Sequence, residues 1–153
     1  MIEGITEPVL LEMGKSDDHR GSLEYYNTID LEKFRRLYIV QNPTEGTVRA
    51  WHGHKIEGKL FKVLSGKFVL CAVHIDDWEN PSKENHVEKF IIDQNSGVVY
   101  IPPGYANGLI NTQSNSKILT LSTLKYNDAL NDDFRFNATH WDPWEEYAPK
   151  IYE

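Results

Sequence analysis

The chain has 153 residues, about the length of one ordinary domain, and 16 Lys and Arg against 23 Asp and Glu leave a net charge of −7. That balance argues against a broad basic surface for nucleic acid or for an anionic membrane, while leaving room for a local basic site that takes a phosphorylated small molecule. The lone Cys71 forms no intrachain disulfide, Met1-Ile2-Glu3-Gly4 is no signal peptide, and no apolar run is long enough to span a membrane, so a single cytoplasmic domain over 1–153 is expected.

Val9-Leu10-Leu11, Gly14-Lys15-Ser16-Asp17-Asp18 and Arg20-Gly21-Ser22-Leu23-Glu24-Tyr25-Tyr26 predict strand, turn and strand in that order. Asp30 is an N-cap acid for one or two helical turns at most, and Arg36-Leu37-Tyr38-Ile39-Val40 is a β-rich run ended by Asn42-Pro43-Thr44-Glu45-Gly46. After the polar stretch 49–59, Leu60–Leu64 and Lys67–Ile75 flank Ser65-Gly66, a two-residue hairpin signal. The second of these runs holds Cys71 among Val69, Leu70, Ala72 and Val73, which predicts a buried, inert thiol.

Asp76–Asn85 is a polar loop, Val87–Ile92 alternates, and Gly97–Ile101 is a strand stopped by Pro102-Pro103-Gly104. Asn107–Asn111 and Ile118–Leu124 complete the set. Many short strands with turn chemistry between them and almost no helical periodicity predict an antiparallel all-β sandwich or barrel. From Asp132 the chain turns aromatic and polar, with Phe134, Phe136, Trp141, Trp144, Tyr147 and Tyr152; a loop and short helix packed over the barrel is expected, its rings serving core and subunit contacts.

Reactive side chains concentrate in Arg49-Ala50-Trp51-His52-Gly53-His54-Lys55-Ile56-Glu57-Gly58-Lys59. His52 and His54, two apart on a strand, share one face with about 7 Å of backbone between them. Strict alternation puts Arg49 and His52 on opposite faces, so the strand must bend or bulge if both are to face one cavity.

Gly46–His54 resembles the first cupin motif and Gly97–Asn107 the second. Asp18-His19-Arg20-Gly21, Arg49-Ala50-Trp51-His52, Gly58-Lys59, Ile101-Pro102-Pro103-Gly104-Tyr105-Ala106 and Tyr126 together resemble the dTDP-4-dehydrorhamnose 3,5-epimerase family and its relatives, the 3-epimerases and 3,4-ketoisomerases of nucleotide-linked 4-keto-6-deoxy sugars. The resemblance runs over roughly residues 18 to 126. It implies a cupin-type jelly-roll barrel with a short C-terminal helical or loop segment, a homodimer with exchanged N-terminal strands, a nucleotide-diphosphate sugar as partner, and a place in bacterial surface-polysaccharide sugar synthesis. It implies no cofactor.

By the same resemblance His52 matches the catalytic base, Lys59 the group beside the developing oxyanion, and Arg49 a pocket arginine. Arg20 and Glu24 match positions that reach the nucleotide across the dimer, Glu24 with a one-residue gap, and Tyr126 matches a tyrosine near the substrate. The family's second histidine is Asn107 here and its tyrosine acid is Thr120; both are expected to line the site, and neither exchanges a proton near neutral pH. Leu70 and His74 replace two family acids, and the family's aspartate partner for the base comes from a C-terminal segment beyond the end of this chain.

These residues predict single-site C3 epimerisation with His52 as base and His54 as a possible shuttle. The His52 and His54 pair keeps 3,4-ketoisomerisation as the close alternative, and the missing tyrosine keeps open a protein that binds a nucleotide sugar without turnover. A metallocupin would draw on His52, His54, Glu57 and His74. Glu57 comes one residue too early for the usual spacing and Asn107 replaces a ligand histidine, so no metal is expected.

Overall fold

The computed structural model describes residues 4–147 and 151–152. In chain order the strands are β1 (Val9–Leu11), β2 (Gly14–Asp18), β3 (Gly21–Tyr25), β4 (Arg36–Asn42), β5 (Thr47–His54), β6 (Lys59–Ser65), β7 (Lys67–His74), β8 (Val87–Asp93), β9 (Val98–Ile101), β10 (Tyr105–Asn111) and β11 (Ser116–Ser122). A four-residue helix, α1 (Tyr126–Ala129), and two short strands, β12 (Phe134–Arg135) and β13 (Ile151–Tyr152), follow.

One sheet runs β1-β9-β6-β11-β4, and the other runs β12-β5-β10-β7-β8 with β13 also on β5. Phe61, Val63, Val99, Ile101 and Ile118 of the first sheet meet Phe68, Leu70, Ala72, Ile92 and Leu109 of the second in one buried cluster. This is the antiparallel sandwich or barrel expected from the spacing of short strands and turns, in the jelly-roll form that the resemblance implied.

Ser65-Gly66 does not make a hairpin. β6 pairs with β9 and β11, whereas β7 pairs with β10 and β8, so the turn carries the chain from one sheet to the other. Gly66 has φ +75°, and a Cβ there would lie 2.0 Å from Ser116 Oγ. The dipeptide marks a reversal; the apolar faces of β6 and β7 decide that the two strands oppose each other across the core. Gly14–Asp18 differs as well, being a strand paired with β3. The reversal falls on His19-Arg20, where the Asp18 carboxylate accepts the Arg20 N–H at 2.8 Å. The helical turn after Asp30 is one 3-10 turn, Leu31–Lys33, capped by the Asp30 side chain.

The segment after Asp132 forms a third layer. Phe68 to Val73 of β7 are all buried because Phe68, Leu70 and Ala72 face the inter-sheet core while Val69, Cys71 and Val73 pack outward against Trp141 and Trp144. Burial pushes the Cys71 thiol up to about 12, as an inert core residue requires. Trp51 lies 5.4 Å from Trp141 and 5.2 Å from Trp144, ring to ring, and its Nε1 donates to the carbonyls of Ala138 and Trp141. The helix expected in this segment lies earlier, as α1.

β5 carries a bulge opposite β10. Asn107 pairs with His52 and Leu109 with Arg49, so Ala50 and Trp51 together oppose Gly108 alone. Both turn toward the tryptophan layer, leaving Arg49 and His52 on the inner face. Gly108 makes room for them: an added Cβ would sit 2.6 Å from Ala50 Cβ and 3.0 Å from the Trp144 ring. Gly108→Ala is expected to destabilise the protein by about 1–3 kcal/mol through overpacking, measured as a drop in the urea midpoint at unchanged m-value.

Candidate active site

The inner faces of the two sheets diverge into a cavity of about 420 Å³. β5 contributes Arg49, His52 and His54; β6 contributes Lys59 and Phe61; β10 contributes Asn107 and Leu109; β11 contributes Thr120. β4 adds Arg36, Tyr38 and Val40, and the segment from α1 to β12 adds Tyr126, Asp133 and Arg135. Seven sequence-predicted site residues therefore share one cavity: Arg49, His52, His54, Lys59, Asn107, Thr120 and Tyr126. Arg20 and Glu24 lie elsewhere. Arg20 is exposed and paired with Asp18 at 2.6 Å, and Glu24 lies 3.6 Å from Lys62.

Nine lining residues carried no functional signal in the sequence, among them the polar or charged Arg36, Tyr38, Asp133 and Arg135. Tyr38 is the most consequential. It pairs in register with Thr120 across β4 and β11, which places its ring on the wall beside the position where the resemblance expects a tyrosine. Arg36 Cζ lies 5.0 Å from the Tyr38 ring centre and 5.9 Å from that of Tyr126, and Lys59 Nζ lies 6.0 Å from that of Tyr38. These cation–π contacts hold the two phenols at the cavity mouth.

Behind the histidines lies a buried polar network. Asp132 accepts the backbone N–H groups of Lys55, Ile56 and Glu57 at 2.8, 2.9 and 2.8 Å, fixing the turn between β5 and β6. Its main-chain carbonyl stands 2.7 Å from His54 Nδ1. A carbonyl only accepts, so Nδ1 carries the hydrogen and Nε2 holds the lone pair; Nε2 is buried with no partner. Glu57 Oε1 lies 3.3 Å from the same Nδ1, while Oε2 accepts from Arg36 Nη2 at 3.1 Å and from the Ser122 hydroxyl.

Four cationic side chains, Arg36, Arg49, Lys59 and Arg135, and two carboxylates, Glu57 and Asp133, line the cavity of an acidic protein. Burial, then the charges of Arg135 and Lys59, lower the His52 pKa to about 4 against the pull of Asp133. Burial and Lys59 also lower His54, opposed by Glu57 and by the Asp132 carbonyl and carboxylate. Both imidazoles are neutral bases near pH 7. Burial works to raise the Asp133 pKa, but Arg135, at 3.0 Å, and the histidines outweigh it and hold it below the ordinary value. The chain thus places the Asp133 carboxylate within electrostatic reach of His52.

Most of the side-chain atoms that could hold a metal are already engaged. His54, Glu57 and Asp132 bring possible ligand atoms within 4.8 Å of one another, but Asp132 is filled by three amides, Glu57 Oε2 by Arg36 and Ser122, and His54 Nδ1 by a carbonyl. His74 lies outside this cavity, its ring 5.2 Å from that of Tyr105 and beside Glu7, and Leu70 is in the core. The set His52, His54, Glu57 and His74 is therefore not assembled.

The profile of the family described as FdtA: WxcM-like, C-terminal matches residues 6–140. The chain belongs to that family. Its fold matches the dTDP-4-dehydrorhamnose 3,5-epimerase of Bacillus anthracis, a structure with TDP and PPi bound, at TM-score 0.77 and 19% identity over 97% of this chain and 90% of that one. The rmlC epimerase of Mycobacterium tuberculosis matches at TM-score 0.76 and 16% identity, over 98% and 81%. The WlaRB TDP-quinovose 3,4-ketoisomerase of Campylobacter jejuni matches at TM-score 0.66 and 20% identity, over 89% and 98%. At these identities the likeness establishes a common fold. No curated protein sequence matches the chain.

The depressed histidine pKa values make stability depend on pH. Between pH 6.5 and about 4 the unfolded chain binds a proton at His52 that the folded chain refuses, so stability falls as pH falls through that window. Asp133 acts in the same sense at lower pH, contributing stability that is lost as pH drops below 3.8. Thermal unfolding is expected to show a falling Tm from pH 6.5 to 4, and His52→Asn should flatten that slope.

Proposed function

We propose that this protein is an isomerase that removes the C3 proton of a nucleotide-linked 4-keto-6-deoxy sugar and returns a proton at C4, a 3,4-ketoisomerase. The observation that carries the reading is the pair of neutral imidazoles, His52 and His54, on one strand face inside a cavity whose remaining charges are mostly cationic. Family membership and the shared fold are consistent with it.

A base takes the C3 proton, the bonding electrons form the C3–C4 double bond, and negative charge gathers on O4 as an enediolate. Lys59 and Arg36 supply positive charge for that oxyanion, and Arg49 and Arg135 for the diphosphate. Proton delivery to C4, with loss of the proton on O3 and protonation of O4, completes the isomer with no net change of atoms. Both carbon proton transfers use one sugar face, which two imidazoles on one strand can serve. An anionic diphosphate also neutralises the Arg135 and Lys59 charges that depress His52, raising its basicity when substrate is bound.

C3 epimerisation, favoured by the sequence motifs, is the second reading. It needs a proton donor on the wall facing the base, and Tyr38 offers a hydroxyl on β4, across the cavity from β5. Proton NMR in heavy water against dTDP-, UDP-, GDP- and CDP-linked 4-keto-6-deoxy sugars separates the outcomes. A 3-keto product is expected. An unchanged ketone with deuterium at C3 makes the protein an epimerase, and saturable binding with no exchange makes it a binding protein. His52→Ala should slow exchange by about 100-fold or more.

The same reading includes a homodimer. The β2–β3 hairpin pairs with neither barrel sheet and leaves Leu23 64% exposed, and the edge strand β4 exposes Leu37 and Ile39. An arm laid over a second copy buries these groups and brings Arg20 and Glu24 toward the other cavity. Sedimentation equilibrium should give a dimer that Leu23→Asp weakens; a monomer at micromolar concentration removes this part of the proposal.

A further inference from the structure

The turn from β4 to β5 carries the chain from one sheet to the other, and two fully buried asparagines brace it: Asn42, the last residue of β4, and Asn111, the last of β10. A buried amide needs a partner for its oxygen and its nitrogen alike, and here the partners fix both orientations. Asn111 Nδ2 donates to the carbonyls of Thr44 and Gln113, each at 2.9 Å, and Asn111 Oδ1 accepts the Thr47 N–H at 3.0 Å. The same Oδ1 accepts from Asn42 Nδ2 at 3.2 Å, which turns the Asn42 oxygen the other way. There Asn42 Oδ1 accepts the Nε–H of Arg49 at 2.8 Å. A flipped Asn42 would set donor against donor at Arg49 and oxygen against oxygen at Asn111. The turn is braced by Asn111 and by Asn42 Nδ2; among these contacts only the Asn42 oxygen goes to a side chain that lines the cavity.

We propose that Asn42 is a positioning residue for Arg49, holding the Nε edge of its guanidinium so that the group meets the diphosphate of a bound nucleotide sugar in a preset orientation. The inference rests on the nucleotide-sugar reading for its ligand. An arginine that is mobile before binding loses side-chain freedom when it grips an anion, and one fixed beforehand loses less. The chemistry of the holding group matters as well. Arg36 and Arg135 are held by the carboxylates of Glu57 and Asp133, which offset part of their charge. An amide oxygen orients Arg49 and brings no negative charge of its own. The orientation is passed along the fold: the Thr47 backbone at the start of β5 fixes Asn111, Asn111 fixes Asn42, and Asn42 fixes Arg49, two residues beyond Thr47 on the same strand. The turn between the sheets and the anion site are thereby one hydrogen-bonded unit.

The test measures binding of inorganic pyrophosphate and of dTDP, UDP, GDP and CDP to the full-length protein by calorimetry. For the tightest of these ligands Asn42→Ala should weaken binding about fivefold, and Arg49→Ala about tenfold or more. In the Arg49→Ala background Asn42→Ala should weaken it less than about 1.5-fold, because Asn42 acts through the arginine. An equal loss in both backgrounds, or none in either, overturns the proposal while the nucleotide-sugar reading stands. Wild-type protein that binds none of these ligands overturns both. The Arg49 Nε–H gives a signature that needs no ligand. In ¹⁵N-arginine-labelled protein its resonance, assigned by its loss in Arg49→Lys, should be protected from solvent exchange, and Asn42→Ala should remove most of that protection. A wild-type Nε–H that exchanges as fast as those of exposed arginines overturns the proposal whatever the affinities. Should Asn42→Ala fail to fold, Asn42→Ser, which keeps a polar group too short to reach the guanidinium, takes its place in the same cycle, and the wild-type Nε–H signal still decides.

Discussion

The site depends on one carboxylate. Asp132 accepts three consecutive backbone N–H groups, Lys55 to Glu57, while 3% exposed. These amides lie in the turn where the chain leaves β5 in one sheet and enters β6 in the other, and they have no ladder partner there. Hydrogen bonds to a charged acceptor contribute about 1.5–3 kcal/mol each, and losing the acceptor would leave buried donors unsatisfied. The cost would not stay local, because the turn sets the relative position of His54 before it and Lys59 after it. Through its main-chain carbonyl the same residue fixes the His54 tautomer. Chain path, ring orientation and cation placement thus share one anchor.

That anchor sits in an electrostatic setting opposite to the rest of the molecule. A protein of net charge −7 gathers Arg36, Arg49, Lys59 and Arg135 around one cavity between low-dielectric walls. Only Glu57 among the lining carboxylates is fully buried, and it is tied to Arg36. Field lines from the remaining cations focus into the opening, which favours a di-anionic ligand such as a diphosphate over the neutral sugar it carries. Burial first, and the same field second, keep both histidines neutral, so the cations that attract the ligand also help to keep a base available.

What the sequence made legible was local. Arg49, His52, His54 and Lys59 lie within eleven residues, and the requirement for a bulge followed from the three-residue gap between Arg49 and His52. The bulge is present, and its second half is Gly108, opposite on β10. What the sequence hid was long-range. Asp132 is 78 residues from His54, and Arg36 is 21 from Glu57, with nothing in composition or periodicity to link them. The Ser65-Gly66 turn shows the same limit, since a dipeptide reports that the chain reverses and not which strand it will pair with. The run Phe68–Val73 was apolar without alternation because a tryptophan layer buries its second face, a layer supplied by a segment about seventy residues later.

The substitution at Thr120 looked, from sequence, like the loss of the proton donor. In three dimensions the position has a neighbour: Tyr38 stands opposite Thr120 in the β4–β11 pair and faces the same cavity. A phenol supplied from the adjacent strand reaches in from a different angle and from the edge of the sheet rather than its middle. The difference bears on stereochemistry. Groups on β5 line the cavity from one sheet, and groups on β4, β6 and β11 from the other. If the proton lost from C3 is replaced by one delivered to C4 along the β5 side, C3 becomes the carbonyl carbon and the ketone migrates. If Tyr38 completes the transfer from the facing side, C3 inverts and the ketone stays. On the proposed isomerase reading both outcomes share one base and one set of cations, so the choice rests on which carbon, and which face of the enediolate, the second proton reaches.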